Sequence, residues 1–208
     1  MRIHFLLPLT LAFAPVPCPG QSARAHDGLY LSVDVGPAWG AIRQSAVNAP
    51  YPYARYSGTG TEFDFHIGGA VAPGELLSFD ISTMTINDPT VAYQDTAASL
   101  GRNVSIGDAI FGLGYTHYFM PADAFVGVTA GPGRFTLTGG SITGGTRTGM
   151  GAILRAGKEW RIGSRWGMGL VGGVAWLKAS DQSSPALPGY SSTFRTTRTF
   201  LGVCATFG

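Results

Sequence analysis

Residues 146–179 limit what this chain can fold into more than any other stretch. Two alternating runs meet there at the turn Ile162-Gly163-Ser164-Arg165. In the first run Met150, Ala152, Leu154, Ala156, Trp160 and Ile162 share one parity. Arg147, Gly149, Gly151, Arg155, Gly157 and Glu159 share the other, with Ile153 as the apolar exception. The second run puts Trp166, Met168, Leu170, Val174 and Trp176 on one face, against a face made mostly of Gly and Ala. Successive side chains of a strand point to opposite faces, so each run carries one greasy face. Trp stands at both ends of that face, as two aromatic girdles at two membrane interfaces require. The pattern predicts a lipid-facing hairpin.

The rest of the chain extends this reading. Residues 1–25 have the form of a secretory signal. Arg2 supplies the basic end, an apolar region follows, and Ala23-Arg24-Ala25 gives a small-x-small cleavage site. Residues 26–208 then form one domain. Cys18 goes with the signal, and Pro17 argues against a lipoprotein site there. Cys204 is left without a partner for a disulfide, and neither a His/Cys cluster nor any other metal-ligand spacing is present. No metal and no cofactor are expected. The 14 basic and 12 acidic residues come level once Arg2 and Arg24 are removed, and no basic stripe along the sequence points to nucleic acid. After the signal no apolar run is long enough for a membrane helix, so a membrane-spanning form must be a closed barrel.

Eight alternating segments can be laid out in order: 28–39, 61–71, 76–86, 105–119, 124–131, the two arms of the opening hairpin, and 195–207. Pro132 is expected to limit the fifth. The connections 40–59, 87–104, 133–145 and 180–192 are long and polar. Those at 72–75, 120–123 and 162–165 are short. The fold class expected is therefore all-β, an eight-stranded antiparallel up-and-down transmembrane β-barrel with both termini at the short-turn end. Trp39, Phe119, Trp160, Trp166, Trp176 and Phe207 are the predicted aromatic girdle.

The stretches GLGYTHYFMPADAFVGVTAG (112–131) and LRAGKEWRIGSRWGMGLVGGVAW (154–176) resemble the small barrels of the OmpA/OmpX type. The resemblance implies a signal-exported protein of the Gram-negative outer membrane. It also implies lipid as the surroundings and the outer-membrane assembly machinery as a partner. Such barrels often end on Phe, whereas here Phe207 is followed by Gly208. A peptidoglycan-binding domain of the OmpA kind is not expected.

By parity the interior receives Asp34, Glu62, Asp64, His66, Asp80, Asp108, Arg147, Arg155, Glu159 and Arg198. Eight strands enclose a space that side chains can fill, and charges buried there must pair. A polar plug is the expectation, and a porin-like narrow solute path along the small inward residues is the alternative. His66, Asp64 and the inward serines Ser78 and Ser82 also permit a Ser/His/Asp arrangement. A lipid-modifying enzyme is therefore a second alternative, although no catalytic spacing supports it. Tyr51, Tyr53 and Tyr56 fall in the first long connection, either as an adhesive surface for an external ligand, or as an aromatic rim on headgroups or side chains packing the loop on itself. The function expected is non-enzymatic, an envelope-structural or surface-interaction role through the loops.

Overall fold

The computed structural model describes residues 28–47, 53–93, 96–101, 103–139, 142–182 and 191–208. The signal segment with Cys18, and Tyr51, lie outside the described residues. Alternation of parity along the chain becomes a run of strands: β1 (Leu29–Val47), β2 (Tyr53–Ala72), β3 (Glu75–Asn87), β4 (Thr90–Tyr93), β5 (Thr96–Ser99), β6 (Val104–Phe119), β7 (Ala124–Gly139), β8 (Ile142–Gly145), β9 (Gly149–Arg161), β10 (Trp166–Gln182) and β11 (Ser191–Phe207). The eight long strands pair antiparallel with their chain neighbours, and β1 pairs with both β2 and β11. The sheet is thus closed, which removes the long exposed edges an open sheet would present.

The strands run well past the expected ends. β1 has 19 residues and β2 has 20, about twice the 9–11 that a bilayer requires. The stretch 40–59, read as a polar loop, is mostly ladder, because pairing continues to Ser45↔Tyr53. Within 87–104, β4 and β5 form a small hairpin laid on the upper part of β2, with Tyr56 opposite Val91. β10 and β11 likewise claim both ends of 180–192.

Pro132 does not end β7. The β6–β7 ladder steps from Leu113↔Ala130 to Ile110↔Gly133, leaving two residues on each strand unbridged and the register intact. Proline has no N–H to give, and a symmetric gap absorbs the loss. Pro37 is accommodated in the same way. Its side toward β11 skips from Val35↔Val203 to Ala38↔Phe200, while its side toward β2 keeps Pro37↔Thr61.

Apart from β9, whose outward side stays apolar up to the exposed Met150, each long strand changes character part-way along its length. Near the short turns the outward residues are apolar and exposed, as with Leu29, Val33 and Val35 on β1 or Trp166, Met168 and Leu170 on β10. The same parity farther along turns polar: Arg43 and Ser45 on β1, Lys178 and Ser180 on β10. The interior changes in the opposite sense. Tyr30, Ser32 and Asp34 give way to Ala38 and Ile42 as β1 leaves the short-turn end. The lower section is therefore greasy outside and polar inside, the upper section polar outside and greasy inside. An apolar belt of this extent in water would exceed what soluble monomers expose, so the lower section is built for lipid.

Candidate functional site: the lumen network

The inward residues of the lower section form three linked groups. The uppermost centres on Arg198 of β11, whose side chain is completely buried. Its Nε donates to Glu62 Oε2 at 2.9 Å and its Nη2 to Glu62 Oε1 at 2.9 Å, a two-pronged grip on one carboxylate. Nη1 donates to Asp108, and Nη2 also reaches Ser82 Oγ at 2.7 Å. Ser82 in turn donates to Glu62 at 2.9 Å. One guanidinium thereby ties β2, β3, β6 and β11 together across the lumen.

The middle group is built around Arg155 and His66. Arg155 Nη1 lies 3.3 Å from Asp34 Oδ2 and donates to His66 Nε2 at 2.6 Å, while Nη2 donates to Thr116 Oγ1 at 3.1 Å. Its guanidinium stands 5.6 Å from the Phe125 ring centroid. With Nε2 accepting, the imidazole proton sits on Nδ1, which faces Asp80 Oδ1 at 2.8 Å. Thr129 donates to Asp80 and Ser32 to Asp34. Glycine makes room for this: a Cβ on Gly114 would lie 2.0 Å from Asp80 Oδ2. The lowest group joins Glu159 to the Tyr118 hydroxyl at 2.6 Å and to Thr206 Oγ1 at 2.9 Å. Above all three, Ile42, Ile86, Ile106 and Leu177 close the passage with apolar side chains, each 3% exposed or less, while Ile110 and Ile153 are buried at the level of the Arg198 group.

The structure thus brings together Asp34, Glu62, His66, Asp80, Asp108, Arg155, Glu159 and Arg198. Asp64 is buried among them and pairs across the ladder with Asp34, yet its Oδ1 has no hydrogen-bond partner. Arg147 is not a member. It precedes β9 and is exposed, because the strand parity that would have turned it inward begins only at Gly149. The tyrosines also separate: Tyr53 is 69% exposed, whereas Tyr56 is buried and donates to Gln44 at 3.0 Å. Tyr56 faces inward because β2 already includes it, so it is no part of a loop surface. Trp39, Phe119, Trp160, Trp166 and Trp176 all point outward and are exposed. Phe207 is half-buried, with its ring 5.2 Å from that of Trp166.

Ser32 is the cross-strand neighbour of His66, but its Oγ donates to Asp34, and the ring nitrogens of His66 face Arg155 and the carboxylates of Asp34 and Asp80. Ser82 is bound to Glu62 and Arg198 instead. The Ser/His/Asp arrangement allowed by parity is therefore not assembled as nucleophile and base. Asp34, Asp64 and His66 bring three ligand atoms within 4.8 Å of one another. The Arg155 guanidinium lies against two of the three and supplies the positive charge that a cation would bring. Tyr118, Thr116, Thr129 and Thr206 are network members that a search for charges alone misses. The inward parity of each strand was the signal that could have found them.

A closed, antiparallel up-and-down barrel of eight long strands, lipid-facing outside and filled within, is the fold of the small outer-membrane barrels. Comparison with solved structures agrees. The chain resembles outer membrane protein AlkL, determined by solid-state NMR in DMPC bilayers, with a TM-score of 0.51 and 15% identity over 91% of this chain and 94% of that one. It also resembles OprG from Pseudomonas aeruginosa, with a TM-score of 0.52 and 11% identity over 90% of this chain and 99% of that one. At such identities the likeness is one of fold. No protein-family model matches the sequence. No curated protein sequence matches it either.

Proposed function

We propose that this is a signal-exported, integral protein of the Gram-negative outer membrane that does not conduct solutes and works through its raised outer rim. The observation that carries the reading is the filled lumen: the fully buried Arg198 bridges Glu62 and Asp108, and a layer of isoleucines lies above it. A solute would have to break a buried ion-pair network, and removing one partner from such a pair costs about 3–5 kcal/mol. The short turns then face the periplasm, as in barrels of this kind, and the long strands carry the connections well clear of the outer leaflet. A rigid wall that presents its loops above the membrane suits contact with external partners or an envelope-structural role.

Planar-bilayer recordings test this directly. The wild-type protein is expected to be silent, and Arg155→Ala or Arg198→Ala to open at most small, noisy conductances. Steady wild-type conductance altered by either substitution would replace the proposal with a narrow channel. For the enzymatic alternative, mass spectra of lipid A from cells with and without the protein are expected to be identical. An acyl change would establish lipid modification. Cleavage after Ala25 predicts a mature chain beginning at His26, which intact-protein mass spectrometry would read.

A further inference from the structure

Four basic side chains stand side by side on the outer wall. Arg43 of β1 is the register partner of Arg55 on β2 and, on its other side, of Arg195 on β11. Arg195 is in turn the partner of Lys178 on β10. The row crosses four consecutive strands, roughly 14 Å from end to end at ordinary strand spacing. All four residues are exposed and share the outward parity of Trp39 and Trp176. None of the four makes an ion pair with a described residue; those ion pairs involve His66, His117, Arg155, Arg161 and Arg198. Like charges directly opposite each other weaken a sheet. This wall sets three such contacts in succession, an arrangement balanced when an anion lies across it.

The height of the row selects the anion. Lys178 is two residues beyond Trp176 on β10, about 6 Å along the strand, and Arg43 is four beyond Trp39 on β1. Trp39 shares its ladder row with Val174, through Thr199, two positions short of Trp176. Two girdle tryptophans at one depth require the rows to climb from β10 toward β1, as strand tilt in a barrel imposes. Lys178 is therefore nearest the membrane and Arg55 farthest from it. Directly below the row come Trp176 and Trp39 with Thr197, Thr199, Ser57 and Thr59, and below those the wall is apolar, with Leu170, Leu201 and Val203; above the row stand Ser45, Ser180 and Thr193. The row sits where lipid headgroups lie.

We infer that Lys178, Arg195, Arg43 and Arg55 bind the phosphates of an outer-leaflet glycolipid whose headgroup carries two of them. Guanidinium forks grip phosphate oxygens two at a time, and a slanting row of this length reaches more than one phosphate. The inference rests on the orientation proposed above.

The test uses the full mature protein in phosphatidylcholine discs, with diphosphoryl lipid A and its dephosphorylated form as probes and native mass spectrometry as the readout. The wild type is expected to retain the diphosphoryl lipid and not the dephosphorylated one. Arg43→Gln/Arg195→Gln is expected to lose at least about tenfold in affinity, the scale of one or two charge-assisted hydrogen bonds. Arg165→Gln, exposed in the short turn between β9 and β10 at the other end of the barrel, is expected to bind as wild type. Faster migration of unboiled samples on an SDS gel confirms that each variant is folded. Equal binding by the double variant, or of the dephosphorylated lipid, would overturn the inference. So would displacement of the lipid by equimolar pyrophosphate, which would mark a simple ion site. Binding of a heparin oligosaccharide in place of the lipid would assign the row to a soluble polyanion and equally overturn it. Bilayer silence of the double variant keeps this test separate from the reading of a filled lumen.

Discussion

At the residue scale, two buried charges of the lumen stand in opposite situations. Arg198 is satisfied on every side by Glu62, Asp108 and Ser82. Arg198→Ala leaves two carboxylates buried without their cation, and the expected cost is about 3–5 kcal/mol, read from urea unfolding in lipid vesicles by tryptophan fluorescence. Asp64 has an oxygen with no partner and no guanidinium of its own. Asp64→Asn removes a poorly compensated charge and keeps the shape. The expected change is between zero and a gain of about 1 kcal/mol in the same assay, since an unpaired buried charge is itself a burden. A loss as large as that of Arg198→Ala would show that Asp64 holds a partner of its own. Gly114 belongs at this scale too. Its missing side chain is the space in which the Asp80 carboxylate sits, so Gly114→Ala is expected to cost about 1–3 kcal/mol through overpacking.

At the element scale the notable feature is a strand that keeps one parity and reverses its chemistry. On β1 the outward side runs from Leu29 and Val33 to Arg43 and Ser45, while the inward side runs from Asp34 to Ile42. The crossover follows the solvent, since lipid outside demands an apolar wall and water outside demands a polar one. Above the girdle the interior can therefore be an ordinary hydrophobic core. Ile42 is fully buried there, and Ile42→Ala is expected to cost about 2–5 kcal/mol, as in the core of a soluble protein. Its neighbour Arg43 is exposed, and Arg43→Ala is expected to change stability by less than about 0.5 kcal/mol. Similar losses from the two substitutions would contradict the inverted upper section. The prolines illustrate the same economy, because Pro37 and Pro132 each interrupt one ladder by two residues without shifting its register.

At the scale of the whole molecule, closure is the decisive property. β1 paired to β11 leaves every long strand hydrogen-bonded on both sides, the condition a β structure must meet inside a bilayer. The closed barrel is expected to resist SDS at room temperature and to shift in gel mobility only on boiling. Absence of the shift, together with solubility in detergent-free buffer, would contradict a membrane barrel.

The residues alone determined the strand number, the outward greasy face, the girdle tryptophans and most of the charges that turn inward. These depend on a period of two, which each strand carries within itself. Where the strands end was hidden, since 40–47 and 53–59 are mostly polar outside and mostly apolar inside, and a search for lipid-facing residues passes over them. Arg147 and Tyr56 were misplaced for the same reason, as the strand boundary decides which parity counts. Which carboxylate meets which arginine, and the meeting of Arg43, Arg55, Arg195 and Lys178 in one row, depends on register between strands far apart in the chain. That register exists only once the barrel has closed.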